Sequence, residues 1–237
     1  MQALQMLSKA QEATADNLAN INTPGFKGTK LFHRLVTEQI DGVKVTKTVA
    51  GQQVDLSQGV LEPTGGELDV GISGDGFFVV EEDGQAYLTR DGRFQFDSDG
   101  YLVNSRGAHV QGVSGDIHIP EYFHALGEEN GGARLEIAKD GTIRLNDEVF
   151  EKIQLVQVDD PVNLERRGHS YFASDKNILR MDDTSLLMHG YYESGNVDPL
   201  HEMVGMMKTM QMFEAQQRAM RTTDETLSQA TNNLGRF

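Results

Sequence analysis

The chain has 237 residues, 38% of them hydrophobic, no cysteine, and a formal net charge of −15 at pH 7. This length and composition suffice for one or two domains with a real core, and the absence of cysteine excludes disulfides and thiolate metal sites. No stretch approaches the about 18 consecutive apolar residues that a membrane span needs. Residues 1–10 lack the basic and apolar regions of a Sec signal, so we expect any export to use another route.

The negative charge is concentrated in the middle of the chain. Residues 1–36 hold four basic and two acidic residues, residues 199–237 hold four of each, and residues 37–198 therefore carry a net charge of −17. Such an acidic interior argues against nucleic acid as a partner, because phosphate binding needs clustered Lys and Arg. The nearly neutral ends can pack against copies of themselves without accumulating repulsion. An ordinary acidic surface is the alternative interpretation.

The N-terminal segment has the spacing of an amphipathic helix. The sequence predicts a helix from Gln2 to about Asn20, which the turn residues Asn22-Thr23-Pro24-Gly25 end. A narrow apolar seam with alternating intervals of three and four residues runs along it. The seam consists of Leu4, Leu7, Gln11, Thr14, Leu18 and Ile21.

A second, longer helix is predicted from Pro199 to Leu234. Asp198 can cap its start, Pro199 suits the first helical position, and Gly235 stands where a C-terminal cap residue belongs. The methionines concentrated in it fill a core in the simplest interpretation, and adapt to non-identical neighbours in the alternative one. Its heptad seam consists of Met203, Met206, Met210, Phe213, Gln217, Met220, Asp224, Leu227, Thr231 and Leu234.

Between the helices the hydrophobic period changes to that of β-strands. Asp-Gly pairs begin at residues 75, 83, 91 and 99, and Asp-Gly is the preferred pair for a two-residue type I′ turn. We therefore expect a β-meander of three strands, in which Phe94 and Phe96 face a core. The predicted strands are Phe77–Glu82, Gln85–Arg90 and Arg93–Ser98, followed by Leu135–Ala138, Thr142–Leu145, Ile153–Val158 and Ser170–Ala173.

The predicted fold class is accordingly α+β, with a mainly-β central domain and long N- and C-terminal heptad helices that pair. The predicted segments are a first helix in residues 1–35, an extended connector with one or two strands in 36–70, a β-rich domain in 71–195, and the second helix in 196–237.

No constellation of catalytic or cofactor-binding residues is visible in the sequence. The seven histidines are scattered, and neither a zinc motif, a nucleophile elbow nor a phosphate loop occurs. We therefore expect no enzyme activity, no cofactor and no metal. The repeated Asp-Gly pairs leave one alternative, a calcium-dependent β-rich binding module. Their period of eight differs from the nonapeptide of calcium-binding β-rolls, so β-hairpins are the favoured interpretation.

Three strings resemble the motifs of one family, in that family's order. The segment D-N-L-A-N-I-N-T-P-G-F-K spans residues 16–27. A central run, residues 65–107, contains L-D-V-G-I-S-G-D-G-F-F-V-V and L-T-R-D-G-R-F. G-N-V-D-P at residues 195–199 precedes E-M-V and the long helix. These strings are similar to the N-terminal, central β and C-terminal motifs of the flagellar basal-body rod protein family, which includes the hook and rod axial proteins.

The resemblance implies a structural, non-enzymatic subunit of the basal-body rod. In that family the terminal helices pair and pack into the inner, torque-transmitting tube, the β domain lies outside, and the flagellar type III apparatus exports the chain. The implied partners are other copies of the chain, other rod proteins and the export apparatus. Neither nucleic acid nor membrane insertion is implied.

The length fits the proximal rod protein of the F type or the distal rod protein of the G type, and the shortness of the chain favours the F type. A distal rod or hook-like axial subunit is the alternative. Family members usually carry several residues before the position that matches Met1, which implies a shorter inner helix here.

Two groups of residues follow as candidate functional sites. The motif residues Asn17, Asn20 and Asn22 are expected to satisfy backbone groups where the first helix ends, next to Gly25. The predicted assembly interface consists of Leu4, Leu7, Leu18, Ile21, Met203, Met210, Phe213, Met220, Leu227 and Leu234.

Overall fold

The chain folds into two compact units, which we call the helical unit and the β unit. The helical unit comprises Met1–Ala19, Thr29–Gln53 and Asp198–Phe237, and the β unit comprises Asn20–Gly28 and Val54–Val197. Segments near both ends of the chain thus contribute to each unit. The computed structural model describes residues 2–40, 43–119, 135–145, 148–158, 164–168, 170–173, 179–182 and 184–234.

The helical unit contains two helices and a two-stranded sheet. Helix α1 spans Gln2–Ala19 and helix α2 spans Pro199–Leu234, while strands β1 (Thr29–Ile40) and β2 (Val43–Val54) pair with each other. Helix α1 packs against α2 and against β1. Both predicted helices are confirmed, α2 with its predicted bounds. Neither of them, within the described ranges, is long and apolar enough to cross a membrane.

Local capping explains where α2 begins. The Asp198 side chain accepts hydrogen bonds from the backbone N–H groups of Leu200 at 3.0 Å and His201 at 3.4 Å, which confirms the predicted cap. Pro199 takes the first helical position, where its missing N–H leaves no bond unmade. The predicted C-terminal cap, Gly235, lies outside the described residues.

The β unit contains sixteen strands among the described residues. They are β3 (Leu61–Pro63), β4 (Val70–Ser73), β5 (Phe77–Glu82), β6 (Gln85–Thr89), β7 (Phe94–Phe96), β8 (Leu102–Asn104), β9 (His109–Val110), β10 (Leu135–Ile137), β11 (Thr142–Leu145), β12 (Glu148–Lys152), β13 (Leu155–Val158), β14 (Glu165–Arg167), β15 (Tyr171–Ala173), β16 (Leu179–Met181), β17 (Leu186–His189) and β18 (Tyr191–Glu193). The mainly-β character of the central region is thereby confirmed.

The predicted meander is wrong in its third strand. The main sheet has the order β14-β15-β6-β5-β9-β8-β7, with β13 also paired to β5 and β16 to β13. Strand β6 pairs with β5 as expected, but β7 pairs with β8 at the far edge of the sheet. The predicted alternation in β7 is confirmed, because Phe94 is buried, Gln95 exposed and Phe96 half-buried. Alternation sets which side chains face a core, and it leaves open which strand is the neighbour.

One of the four Asp-Gly pairs forms the predicted type I′ turn. Asp83 and Gly84 connect β5 to β6 and both have positive φ, 55° and 76°. The other three pairs lie in other connections. The buried Asp91 carboxylate pairs with the Arg93 guanidinium at 3.1 Å. Gly92 lies against strand β4, where a Cβ atom would approach the Val70 carbonyl oxygen to 1.8 Å.

Strand β5 separates two hydrophobic cores. Phe78 and Val80 belong to the larger core, and Phe77 and Val79 belong to the smaller one. Because successive side chains of a strand point to opposite faces, β5 is buried on both sides. The ring of Phe78 packs edge-on against Phe94 at 5.0 Å, and that of Phe77 against Phe172 at 5.9 Å.

Two short ladders close the β unit by joining its last strands to its first. Strand β17 pairs with β4, and β18 pairs with β3 so that Glu193 is opposite Leu61. These ladders bring the end of the β unit's chain beside its beginning. The segment Asn20–Gly28 lies there too, because the Gly25 N–H donates to the Glu193 carbonyl at 2.7 Å.

Candidate assembly interface

The predicted seam residues of α1 are half-buried. Leu4, Leu7 and Leu18 are all partly covered, and so is Ile21 in the turn after the helix. The most deeply buried positions of α1 are Ala13, 5% exposed, and Asn17, 3% exposed. The shielded stripe of the helix therefore includes the row of small and polar residues beside the leucines.

Helix α2 is shielded along one stripe in its first half. Asn17 Nδ2 donates to Glu202 Oε1 at 2.9 Å, which fixes the end of α1 beside the start of α2, so the two helices run antiparallel. The half-buried positions of α2 recur at helical spacing and end at residue 216. They are Glu202, Gly205, Met206, Thr209, Phe213 and Gln216.

The same face of α2 is exposed in the second half of the helix. Phe213, Met220 and Leu227 are seven residues apart, so they share one face. Phe213 is half-buried, whereas Met220 and Leu227 are 40% and 60% exposed. The reason is length, since the 18 residues of α1 span about 27 Å and the 36 residues of α2 about 54 Å. Every side chain from residue 217 to residue 231 is exposed.

A second apolar surface lies on the first turns of α2. Met203 and Met210, both predicted interface residues, are 49% and 47% exposed, and Met207 between them is 56% exposed. These three residues share a face adjacent to the shielded stripe. The side chain of Leu234 lies outside the described residues. Leu4, Leu7, Leu18 and Phe213 are thus half-buried on the two packed helices, whereas Met203, Met210, Met220 and Leu227 are exposed.

The motif asparagines have different environments. Asn17 binds both backbone polar groups of Thr29, accepting from its N–H at 2.8 Å and donating to its carbonyl at 3.0 Å. Asn20 is buried, and its carbonyl accepts from the N–H of Thr23 at 2.9 Å in the turn after α1. Asn22 is exposed.

Gly25 is required by backbone geometry. It has a φ of +67°, and a Cβ atom would come within 2.3 Å of the Asp91 nitrogen and 2.4 Å of the Arg90 carbonyl carbon. A side chain at this position would therefore collide with backbone as well as strain φ. The motif segment consequently lies directly against the loop that follows β6.

Three buried charges meet beside this segment, and we call them the charged triad: Lys27, Arg90 and Glu193. Lys27 Nζ donates to Glu193 Oε1 at 2.5 Å, and Arg90 Nη1 donates to Glu193 Oε2 at 3.2 Å. None of the three side chains is more than 1% exposed. Burial lowers the pKa of Lys27 from its ordinary value, and the charge of Glu193 opposes that shift.

Sequence patterns did not reveal the charged triad. All three residues belong to polar types that are mostly exposed, and no periodicity marks them. The available signal was their location, since Lys27 lies in the N-terminal motif, Arg90 in the central motif and Glu193 two residues before the C-terminal motif. The N-terminal and central motifs therefore each supply one member of a single cluster, and the C-terminal motif begins two residues after the third member.

The described side chains include no group of three or more His, Cys, Asp or Glu residues that could hold a metal ion. The predicted assembly interface consists of apolar helix surfaces, and hydrogen bonds hold the motif asparagines Asn17 and Asn20.

Comparison with known proteins identifies the family. Three family models match the chain: "Flagella basal body rod protein" over residues 1–27, "Flagellar hook protein FlgE/F/G D1 domain" over residues 71–145, and "Flagellar basal body rod FlgEFG protein C-terminal" over residues 188–234. The matched segments contain α1, strands of the central region and all of α2.

Full-length relatives agree with these matches. The flagellar basal-body rod protein FlgF of Caulobacter vibrioides is 31% identical, with 98% of this chain and 94% of the relative covered. FlgF of Salmonella typhimurium is 28% identical, with 99% and 96% covered. The basal-body rod protein FlgG of Buchnera aphidicola subsp. Baizongia pistaciae is 30% identical, with 90% and 89% covered. The chain therefore belongs to the flagellar basal-body rod protein family of the F and G types, and it is a structural subunit of the rod and not an enzyme.

Proposed function

We propose that this rod subunit polymerises through α1 and α2, which pair as a heptad coiled coil and pack with those of neighbouring subunits into a torque-transmitting axial tube. Its partners are other copies of itself and other flagellar rod proteins. It reaches the rod through the flagellar type III export apparatus. The β unit makes lateral contacts between neighbouring subunits on the outside of the tube.

The exposed half of α2 is the observation that carries this proposal. Met220 and Leu227 continue the face on which Phe213 packs, but they are exposed because α1 covers only the first half of α2. An apolar face that continues past its partner helix favours a further partner. A helix from a neighbouring subunit, presenting the same 3-4 spacing, would complete the seam.

The distribution of charge supports packing between like subunits. Residues 199–237 hold four basic and four acidic residues, so copies of α2 can approach one another without net repulsion. The strongly acidic residues 37–198 belong mostly to the β unit and are suited to a surface that stays in contact with water. This division of charge between the two units supports a tube whose subunits contact one another through their helices.

The exposed methionines support contacts with more than one kind of neighbour. Met203, Met207 and Met210 form a surface beside the shielded stripe. Methionine is unbranched and adapts its shape to the partner, so this surface suits a subunit that meets non-identical proteins along the rod. We propose that it contacts the next subunit.

We propose the F-type, proximal position for this chain on the basis of its length, with the distal G-type position or a hook-like position as the alternative. Electron microscopy of basal bodies from a strain that lacks this protein tests both the function and the position. A proximal subunit predicts a short rod stump, and a distal subunit predicts a longer rod that lacks its outer part. A complete rod with a hook in that strain would contradict the proposed function.

A further inference from the structure

The charged triad joins parts of the β unit that are far apart in sequence. Lys27 and Glu193 are 166 residues apart, and Arg90 and Glu193 are 103 residues apart. The cluster also holds the connection between β2 and β3, because Lys27 Nζ donates to the Ser57 carbonyl at 2.8 Å and the Gly59 N–H donates to Glu193 Oε1 at 2.7 Å. A single carboxylate thus binds two cations and one backbone group.

The segments on either side of the triad are bound to each other. The Gly28 N–H donates to Asn196 Oδ1 at 2.7 Å, and the Asn196 amide donates to the Asp55 carbonyl at 2.7 Å. The Arg166 guanidinium donates to the Lys27 carbonyl and lies 4.6 Å from the centre of the Phe26 ring. Along the chain, residues 20–28 follow α1 and residues 193–197 precede α2.

The three charges of the triad stabilise the fold only when all three are present. Taking a charge out of water is unfavourable, and only close pairing with good geometry offsets it. Lys27 and Arg90 without Glu193 would leave two buried cations facing each other. Arg90 Nε already has no hydrogen-bond partner among the described residues, so Glu193 is the main compensation for this guanidinium. The cluster is therefore stable only when all three segments are in place.

The order of events in folding follows from the same features. The buried members of both cores around β5 lie between residues 70 and 187, so none of them belongs to residues 20–28 or 193–196. Part of these cores is local in sequence, such as the β5–β6 hairpin. The triad closes a loop of 166 residues and removes three charges from water, so early closure brings a large entropy loss and a desolvation penalty together. Contacts with such long separation and no partial benefit are expected to form late.

We propose that the charged triad is a latch that closes last in the folding of the β unit, docking residues 20–28 and residues 193–196 together onto a β unit whose cores have already formed. The latch is a property of the single chain and is independent of polymerisation. Until residues 193–196 dock, the β unit lacks the ion pairs of Glu193 with Lys27 and Arg90.

Folding kinetics of the full chain test the latch. All six tyrosines lie between residues 87 and 192 and the chain has no tryptophan, so tyrosine fluorescence reports on the β unit alone. The variants are Glu193→Gln, which leaves two buried cations, and Lys27→Met, which leaves the neutral Arg90–Glu193 pair. The matched control is Glu165→Gln, which breaks an ion pair whose side chains are 71% and 60% exposed.

The latch predicts a change in one arm of the urea chevron. Glu193→Gln is expected to raise the unfolding rate about 100-fold or more and to change the folding rate less than about threefold, because contacts absent from the transition state affect unfolding only. Lys27→Met should show the same pattern with a smaller acceleration, and Glu165→Gln should leave both arms unchanged.

Two results would overturn the latch: a folding rate that falls as much as the unfolding rate rises, or a Glu193→Gln protein that behaves like Glu165→Gln. If Glu193→Gln does not fold, the Lys27→Met chevron decides, since slower folding in that variant contradicts late closure and faster unfolding alone supports it.

Discussion

Asn17 at the end of α1 binds both backbone polar groups of Thr29, the first residue of β1. Its Oδ1 accepts from the Thr29 N–H at 2.8 Å, and its Nδ2 donates to the Thr29 carbonyl at 3.0 Å and to Glu202 Oε1 at 2.9 Å. Both amide hydrogens and the carbonyl oxygen of this buried side chain are therefore used. One asparagine connects α1, β1 and α2 within the helical unit.

Substitution of Asn17 should loosen the helical unit. Asn17→Ala leaves the Thr29 N–H and carbonyl without partners, and we expect a loss of about 1–3 kcal/mol in the stability of this unit. Asn17→Asp should be worse, because a carboxylate cannot donate to the Thr29 carbonyl and lies beside the carboxylate of Glu202. Hydrogen exchange at the Thr29 amide, together with circular dichroism at 222 nm, measures the effect.

The exposed Asn22 provides the control for that experiment. Asn22→Ala should change stability by less than about 0.5 kcal/mol. Equal exchange at Thr29 in the Asn17→Ala and Asn22→Ala proteins would show that the two-point contact does not hold β1 against α1.

Substitutions at two glycines distinguish the effect of a positive φ from the effect of a close contact between a new Cβ atom and the backbone. Gly25 and Gly84 have φ values of +67° and +76°, but only at Gly25 would a Cβ atom meet backbone, at 2.3 Å, since the space around Gly84 is open. We expect Gly84→Ala to destabilise the β unit by about 1 kcal/mol, and Gly25→Ala by several times as much. Urea unfolding followed by tyrosine fluorescence gives both values. Similar losses in the two variants would contradict the close contact at Gly25.

Asp182 should contribute stability that depends on pH. Burial by itself would raise the pKa of this carboxyl, but hydrogen bonds from Ser185 and Thr184 lower the pKa by more than burial raises it. The pKa of Asp182 in the folded chain therefore lies below the ordinary 3.8. A lowered folded pKa means that the unfolded chain binds the proton more readily. The contribution is therefore complete above about pH 4 and is lost as the pH falls through the folded pKa.

The difference in unfolding free energy between the native chain and Asp182→Asn measures that contribution. We expect about 1–2 kcal/mol near pH 6 and a difference that shrinks on acidification. Thr184→Val removes one donor to Asp182 Oδ1 and should reduce the acid dependence. A difference that stays constant from pH 6 to pH 2.5 would show that the carboxylate is not stabilised in the folded chain.

Local signals predicted the elements, and they did so because each signal acts within a few residues. Asp198 and Pro199 set the start of α2, and Asp83-Gly84 set the turn of the β5–β6 hairpin. The pairing of β7 with β8 could not be predicted in the same way, because the alternation of Phe94 and Phe96 is satisfied by any neighbour that faces the core.

Of the proposed assembly interface, only the apolar seam along each helix could be predicted from the sequence. Heptad spacing identified Phe213, Met220 and Leu227 as one face, but which part is covered within the chain depends on the relative length of α1. The charged triad could not be predicted from sequence patterns. Lys27, Arg90 and Glu193 are residue types that patterning places at the surface, and only the three-dimensional convergence of the motifs buries them.

We infer that the uncovered face of α2 builds the rod. Leu227→Asp places a charge on this face, and Gln229→Asp places the same charge on the opposite side of the helix. Both positions belong to the helical unit, so the tyrosine fluorescence of the β unit should be native in both proteins.

Electron microscopy of basal bodies from cells that carry each variant as their only copy is the most direct measurement. We expect interrupted rods and non-motile cells with Leu227→Asp, and complete rods and motile cells with Gln229→Asp. Complete rods in motile Leu227→Asp cells would contradict assembly through this face of α2.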